Sequence, residues 1–242
     1  MNSEIDGAML LAAGLGTRLR PLTLSTPKPL LPLDGCLLID HQLRYLARSG
    51  IKRVAINLHH LGDMIREYAG DGSKYGVEIF YSEEPRLLDT GGGIRKAAPF
   101  FEGRPFLALN SDALIDVDLD ELISRHQNSG TAATMVLKPL EDRYSYTPVA
   151  VDDSGNVTGF GSGQYFYTGL QVVSPHIVDL LPPAGESSSL IKDGYLKLLG
   201  GGGKVAAYIY HGYFNDLGTF DRYEEAKGDI ARGMFKLFTE KS

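Results

Sequence analysis

The sequence predicts an α/β protein: a Rossmann-like, three-layer, mostly parallel sheet with a smaller antiparallel annex built by the second half of the chain. Two patterns carry this reading. Short apolar runs alternate with helical patterns over most of the length, as in repeated strand–helix–strand units. The runs are also apolar enough to be buried on both faces, which a sheet covered by helices requires. With 242 residues, 43% hydrophobic and 22% charged, the chain has enough material for one full core. Residues 1–242 are read as a single domain, with one half to about residue 130 and the other from about 131.

The strands expected in the first half are 7–12, 53–57, 77–81 and 106–109. Between them, Ile39, Leu43, Leu46 and Ala47 share a helical face that Gly50 stops. Residues 61–68 form a second helix, and 94–98 a short one after the Thr90–Gly93 turn. Asp118 with Glu121 three positions on gives a capping-box start for 119–128, and Gly130 ends that helix. Beyond it the periodicity changes. Strands are expected at 131–137, 149–151, 156–160, 166–173 and 204–210, with a hairpin turn at Asp152-Asp153-Ser154-Gly155. Ser174-Pro175 opens a short helix, 189–199 is a longer one, and the last starts near Thr219.

Composition narrows the function. Lys+Arg number 24 and Asp+Glu 30, a net charge of −6, so no global field draws polyanions and neither nucleic acid nor a membrane is an expected partner. One cysteine, Cys36, leaves no internal disulfide and no cysteine-rich zinc site. The apolar stretch 8–13 is too short for a signal peptide or a span, so a cytoplasmic location is expected. The Leu/Phe-rich segment 234–238 suits either the core or an interface in a homo-oligomer.

The most informative stretch runs Ala12-Ala13-Gly14-Leu15-Gly16-Thr17-Arg18-Leu19-Arg20-Pro21, then Thr26-Pro27-Lys28-Pro29-Leu30. A buried strand empties into a loop of small residues whose backbone N–H groups have close access to a ligand. Arg18 and Lys28 add fixed positive charge, and the combination suits a triphosphate. A dinucleotide fingerprint would need glycine where Leu19 stands, and no Walker-type Gly-Lys-Ser/Thr follows. Asp112 lies just beyond the strand 106–109, at the edge where open α/β sheets bind ligands, and Asp216 precedes a helix start. Taken singly, each is equally a helix cap or a turn former. His59 and His60 are adjacent and poorly placed to aim at one ion, so both are read as structural.

The glycine–arginine run and the Lys28 segment, with Thr90-Gly91-Gly92-Gly93-Ile94, Asn110-Ser111-Asp112, Thr168-Gly169 and Asn215-Asp216-Leu217-Gly218-Thr219, resemble the signature of the sugar-1-phosphate nucleotidyltransferases. The resemblance covers about residues 8–225 and implies the nucleotide-diphospho-sugar transferase type of fold, with a nucleotide-binding half and a sugar-binding half. It also implies transfer of a nucleotidyl group from a nucleoside triphosphate to a sugar 1-phosphate, releasing pyrophosphate. Asp112 and Asp216 would hold Mg²⁺, whose preference for one or two carboxylates plus phosphate oxygens fits that pair. Arg18, Lys28 and Asp112 would be catalytic, with Lys28 on the α-phosphate and Arg18 on the β- and γ-phosphates. Ala12, Ala13, Gly14, Gly16, Thr17, Arg18, Lys28, Thr90 and Gly91 would bind the nucleotide, and Asn110, Thr168 and Gly169 the sugar. The Ala12-Ala13-Gly14 opening is closer to uridylyl- and thymidylyltransferases than to guanylyltransferases, which favours UTP. Tyr144, Tyr146, Tyr165 and Tyr167 are placed to stack on a sugar or, more commonly, to pack in the core.

Overall fold

The architecture is that of a computed structural model, which describes residues 5–141 and 146–238. Tyr144 lies outside the described residues. The strands are β1 (Gly7–Leu11), β2 (Pro32–Leu33), β3 (Cys36–Leu37), β4 (Arg53–Leu58), β5 (Glu78–Glu83), β6 (Phe106–Asn110), β7 (Leu114–Ile115), β8 (Ala133–Pro139), β9 (Pro148–Val151), β10 (Val157–Phe160), β11 (Tyr165–Val173), β12 (Val205–Ile209) and β13 (Phe214–Asn215). The α-helices are α1 (Leu38–Arg48), α2 (Gly62–Ala69), α3 (Asp89–Ala97), α4 (Leu119–Ser129), α5 (Pro175–Leu180), α6 (Leu196–Gly200) and α7 (Phe220–Ala231). Among the described residues no helix is long and apolar enough to cross a membrane.

Contacts divide the chain into two compact units that do not follow the halves read around residue 130. The amino-terminal unit combines Asp6–Leu87, Asn110–Asp116 and Tyr213–Ser242; the annex unit combines Met1–Ile5, Leu88–Leu109 and Val117–Gly212.

In the amino-terminal unit β1, β4 and β5 run parallel, with Gly7 opposite Arg53 and Arg53 opposite Glu78. Ala8, Met9, Leu10 and Val54–Ile56 have no exposed surface, as parallel strands covered on both faces require. Helix α1 buries Ile39, Leu43 and Leu46, the face its spacing predicts. The Asp40 carboxylate accepts the Leu37 N–H at 3.0 Å to close its first turn. A second core joins Leu19, Leu31, Leu33, Leu38, Leu114 and Leu217 to Tyr223 and Ala226 of α7 and to Phe235 and Leu237 beyond it. The carboxyl-terminal segment therefore folds back on the first thirty-odd residues, and Phe238 N–H donates to His41 Nδ1 at 3.1 Å. Burying these large apolar side chains contributes roughly 1.5–3 kcal/mol each.

The annex unit is built on β11, which pairs antiparallel with β6, β8 and β9, while β9 and β10 form a hairpin. The hairpin turn is set by Asp152, whose Oδ1 accepts from Ser154 and Asn156 N–H, with Gly155 at φ 78°. Strand β12 lies parallel to β8. Asp118 caps α4 as expected, accepting the Asp120 and Glu121 N–H groups.

Two expected elements differ. The helix read over 189–199 is a π-helical turn, Leu190–Tyr195, followed by α6. The change of winding brings Tyr195 to zero exposure, where its hydroxyl donates to Gln171 Oε1. The helix read at 94–98 starts earlier, at Asp89, and includes all three glycines 91–93. Glycine's low helix propensity argues against this, but backbone packing described below overrides it.

Candidate active site

The loop after β1 is shaped by where its side chains anchor. Gly16 sits at φ 60°, and its carbonyl accepts the hydroxyl of the buried Thr23 at 2.7 Å. A single 3₁₀ turn, Thr17–Leu19, follows; it drives Leu19 into the core and leaves Thr17 and Arg18 exposed. Gly14 is open to solvent, with nothing within 4 Å of where its Cβ would lie. Among the described residues, the backbone N–H groups of Ala13, Gly14, Leu15 and Gly16 meet no acceptor in the chain. Successive unpaired donors beside a cation form an anion site. Ala12 differs: its N–H donates to Asn57 Oδ1 at 2.7 Å and faces the interior.

Lys28 enters from the 3₁₀ turn Lys28–Leu30, with only 11% of its side chain exposed. Its Nζ lies 2.7 Å from Asp112 Oδ2, a contact across 84 residues of chain. Asp112 stands in the turn that leaves β6, closed by Ala113 N–H donating to the Asn110 carbonyl at 3.1 Å. Ser111 N–H donates to the Leu11 carbonyl at 3.0 Å, tying this turn to the end of β1. Asn110 thus shares the unit of Lys28 and Asp112, and its carbonyl accepts from the Gln42 amide at 3.3 Å.

The second carboxylate arrives by a short ribbon. In the β7–β13 pair Leu114 faces Asn215, and Asp112 precedes β7 by two residues as Asp216 follows β13 by one. The two aspartates, distant in sequence, therefore share one end of an antiparallel pair. Asp216 Oδ1 accepts the Gly218 N–H at 3.2 Å and a short contact from the Arg222 guanidinium. The Arg18 guanidinium approaches the same Gly218, with Nη2 and Nη1 3.2 and 3.3 Å from where a Cβ would project and Asp216 Oδ1 3.1 Å from that point. Among the described residues it forms no ion pair.

Asp112 and Asp216 are the two carboxylates that could hold a divalent ion, with phosphate oxygens and water completing its shell. Asp216 Oδ1 is held by the Gly218 N–H and Arg222 while Oδ2 is not, and among the described residues no group of three or more His, Cys, Asp or Glu side chains is placed to hold a metal ion. His59 is held by Nδ1 against the Glu84 carbonyl at 2.7 Å, in keeping with a structural role.

The remaining expected residues belong to the annex unit. The Thr90 hydroxyl accepts the Leu190 N–H at 3.2 Å, and the Gly91 and Gly92 N–H groups both donate to the Ser188 carbonyl. A Cβ at Gly91 would fall 2.8 Å from the Ser188 carbonyl oxygen, and one at Gly92 only 2.4 Å from that of Glu186. The glycines of α3 therefore admit a neighbouring backbone. Thr168, 3% exposed, donates its hydroxyl to the Val136 carbonyl at 2.9 Å. Gly169, at φ 87°, occupies a break in the β8–β11 register between Tyr167 and Gln171, a β-bulge. Tyr167 is half-buried.

Three residues that the sequence does not single out complete the picture. Arg222 grips Asp216 from the first turn of α7, and its position just after an Asp-x-Gly-Thr start is the one available signal. Asn57 and Glu84 form a buried relay, Glu84 Oε1 accepting the Asn57 amide at 2.7 Å, which fixes the amide so that its oxygen meets Ala12. Asn57 ends a strand and Glu84 follows one, so no local pattern marks them as partners.

Comparison with known proteins agrees with this arrangement. Residues 7–233 match the family model described as nucleotidyl transferase. A UTP–glucose-1-phosphate uridylyltransferase of a Synechocystis strain is 32% identical over 93% of this chain and 63% of its own length. A mannose-1-phosphate guanylyltransferase of Mycobacterium tuberculosis is 31% identical over 96% of this chain and 66% of its own. The chain thus spans about two thirds of the length of these two relatives. An N-acetylmuramate α-1-phosphate uridylyltransferase of Neisseria meningitidis is 35% identical over 91% of this chain and 96% of its own. Among solved structures, HddC from Yersinia pseudotuberculosis superposes with a TM-score of 0.80 at 22% identity, covering 93% of this chain and all of that one. These likenesses carry the expected α/β fold with its antiparallel annex.

Proposed function

The chain belongs to the nucleotidyl transferase family, and on that premise we propose that it transfers a nucleotidyl group from a nucleoside triphosphate, UTP in preference, to a sugar 1-phosphate. The carrying observation is the Lys28–Asp112 contact at 2.7 Å, in the same unit as Asp216 and a loop of unpaired N–H donors. Such a cluster has cations for phosphates and carboxylates for a metal, and no nucleophile–base pair.

The attacking atom is a phosphate oxygen of the sugar 1-phosphate, already anionic, so no general base is needed. It bonds to the triphosphate α-phosphorus as the bond to the β-phosphate bridging oxygen breaks, and pyrophosphate carries away that electron pair. The barrier lies in the repulsion between two phosphates and the charge gathering on the leaving group. Lys28, released from Asp112, neutralises the α-phosphate, and Arg18 with the 13–16 N–H donors holds the β- and γ-phosphates. Asp112 and Asp216 would hold Mg²⁺, which when bound supplies charge neutralisation and orientation of the phosphates. Asn110 is assigned to the sugar.

The Ala12-Ala13-Gly14 opening is what favours UTP, in line with uridylyltransferase relatives at 32% and 35% identity; guanylyltransferases at 28–35% make GTP the second reading. Pyrophosphate release with UTP, dTTP, GTP and CTP, each against glucose, mannose and N-acetylmuramate 1-phosphates, tests both. UTP is expected to give the highest kcat/KM. Turnover with GTP alone overturns the base assignment, and no pyrophosphate from any pair overturns the catalytic reading.

A further inference from the structure

We propose that Gly218 is a positioning residue for Arg18: the missing Cβ makes the space in which the Arg18 guanidinium lies beside Asp216. A Cβ built there would meet Arg18 Nη2 at 3.2 Å, Nη1 at 3.3 Å and Asp216 Oδ1 at 3.1 Å. These are tighter than ordinary van der Waals contacts, so any side chain at 218 displaces the guanidinium, the carboxylate or both. Backbone conformation is not what requires glycine here, because Gly218 is absent from the positive-φ residues of the chain.

The neighbours of the two residues hold them together. Leu19, immediately after Arg18, and Leu217, immediately before Gly218, belong to the same buried cluster, 1% and 0% exposed. The turn bearing Arg18 and the turn bearing Gly218 are thus stapled through adjacent side chains. Leu217 takes φ 35°, and its N–H donates to the buried Asn215 side chain at 2.9 Å. A long, exposed arginine ordinarily samples many rotamers, and ordering one costs up to about 2 kcal/mol. Lying against a glycine in a fixed turn removes part of that freedom before a ligand arrives. Asp216 is separately held by Arg222, so the softer of the two contacts at Gly218 is the one to Arg18.

The proposal rests on the reading that Arg18 binds the β- and γ-phosphates, so its readout is pyrophosphate binding. Calorimetry of Gly218→Ala with pyrophosphate, without metal, is expected to show about tenfold weaker binding, as small misplacements of a binding group do. In an Arg18→Ala background the same substitution is expected to have no further effect, the non-additivity that marks two residues acting as one. Mn²⁺ affinity, read by paramagnetic resonance without substrate, stays within about twofold of the parent, since Asp216 keeps its Arg222 grip. Unchanged pyrophosphate binding, or an equal loss with and without Arg18, overturns the proposal. So does a fall in Mn²⁺ affinity with pyrophosphate binding intact, which would make Gly218 a residue serving Asp216. A Gly218→Ala chain that fails to fold also overturns it, because the guanidinium is exposed and free to move aside. A wild-type chain that binds pyrophosphate but turns over no substrate pair would defeat the catalytic reading and leave this assignment standing.

Discussion

The two units use polar groups in opposite ways. In the amino-terminal unit, the side chains with functional chemistry pair with one another: Lys28 with Asp112, Arg222 with Asp216. In the annex unit the corresponding residues bond to backbone: Thr168 to the Val136 carbonyl, Thr90 to the Leu190 N–H, Gly91 and Gly92 to the Ser188 carbonyl. An ion pair only partly sheltered from water is exchangeable, because a phosphate or a metal ion replaces each partner with one of like charge. A hydroxyl bonded to a strand carbonyl at 3% exposure has no such replacement. On the proposed reaction the first unit would change partners while the second holds its shape.

The largest effect expected from this contrast is catalytic. Lys28→Ala and Asp112→Ala each lower kcat about a hundredfold or more, the scale of deleting one charge-stabilising group from a transition state. Lys28→Ala, which leaves behind the more exposed Asp112, is expected to keep its denaturant midpoint closer to the parent value than Asp112→Ala, which strands a lysine only 11% exposed. A midpoint falling in step with kcat would erase the distinction between the units. Gly92→Ala tests the other side. Its Cβ would lie 2.4 Å from the Glu186 carbonyl oxygen, and overpacking against backbone costs about 1–3 kcal/mol. Urea unfolding is expected to show that loss, with kcat retained in the fraction that remains folded.

The sequence was informative where chemistry and local geometry coincide. The glycine–arginine loop, the Asp118 cap, the Asp152 turn and the strand preceding Asp112 each follow from neighbouring residues, and each is found where expected. What it does not reveal is who meets whom. Spacing alone does not put Asp112 and Asp216 at the same end of one ribbon; the two-residue strands β7 and β13 do that, and they are too short to carry a period. Arg222 and the Asn57–Glu84 relay are invisible for the same reason, since their partners are fixed by tertiary register. The glycine triplet reads as a turn because propensity disfavours it in a helix. Only the close approach of the Glu186–Ser188 backbone accounts for its helical form. The division into units escaped for a topological reason: residues 213–238 return to the core of Leu19 and Leu31, which no composition shift announces.

A smaller effect sharpens the contrast at Thr168. Thr168→Val keeps the shape and removes the donor to Val136, leaving that carbonyl unpaired and costing about 1 kcal/mol. Because the hydroxyl is already committed and buried, KM for the sugar 1-phosphate is expected to stay within about twofold. A large rise in KM with unchanged stability would return the hydroxyl to the substrate and blur the line between the units.

The last effect concerns a property the units share, and so marks where the contrast ends. Each buries a neutral histidine. His41 accepts the Phe238 N–H in the amino-terminal unit, and burial pushes it down to about 3 from 6.5. His126 lies between Thr134 and Ser174 in the annex unit, and burial lowers it as well. When the folded state resists protonation and the unfolded state does not, acid favours unfolding. The stabilising difference from His41 is therefore complete above about 6.5 and is lost as pH falls from there toward about 3. His41→Asn keeps an acceptor for the Phe238 N–H but does not titrate. Between pH 7 and pH 5 its unfolding midpoint should drop by less than the parent's, and replacing His126 by Asn as well should flatten the dependence further. If the single variant follows the parent across that range, the carboxyl-terminal segment is not held by a neutral His41. The buried cluster of Phe235 and Leu237 then carries that docking alone.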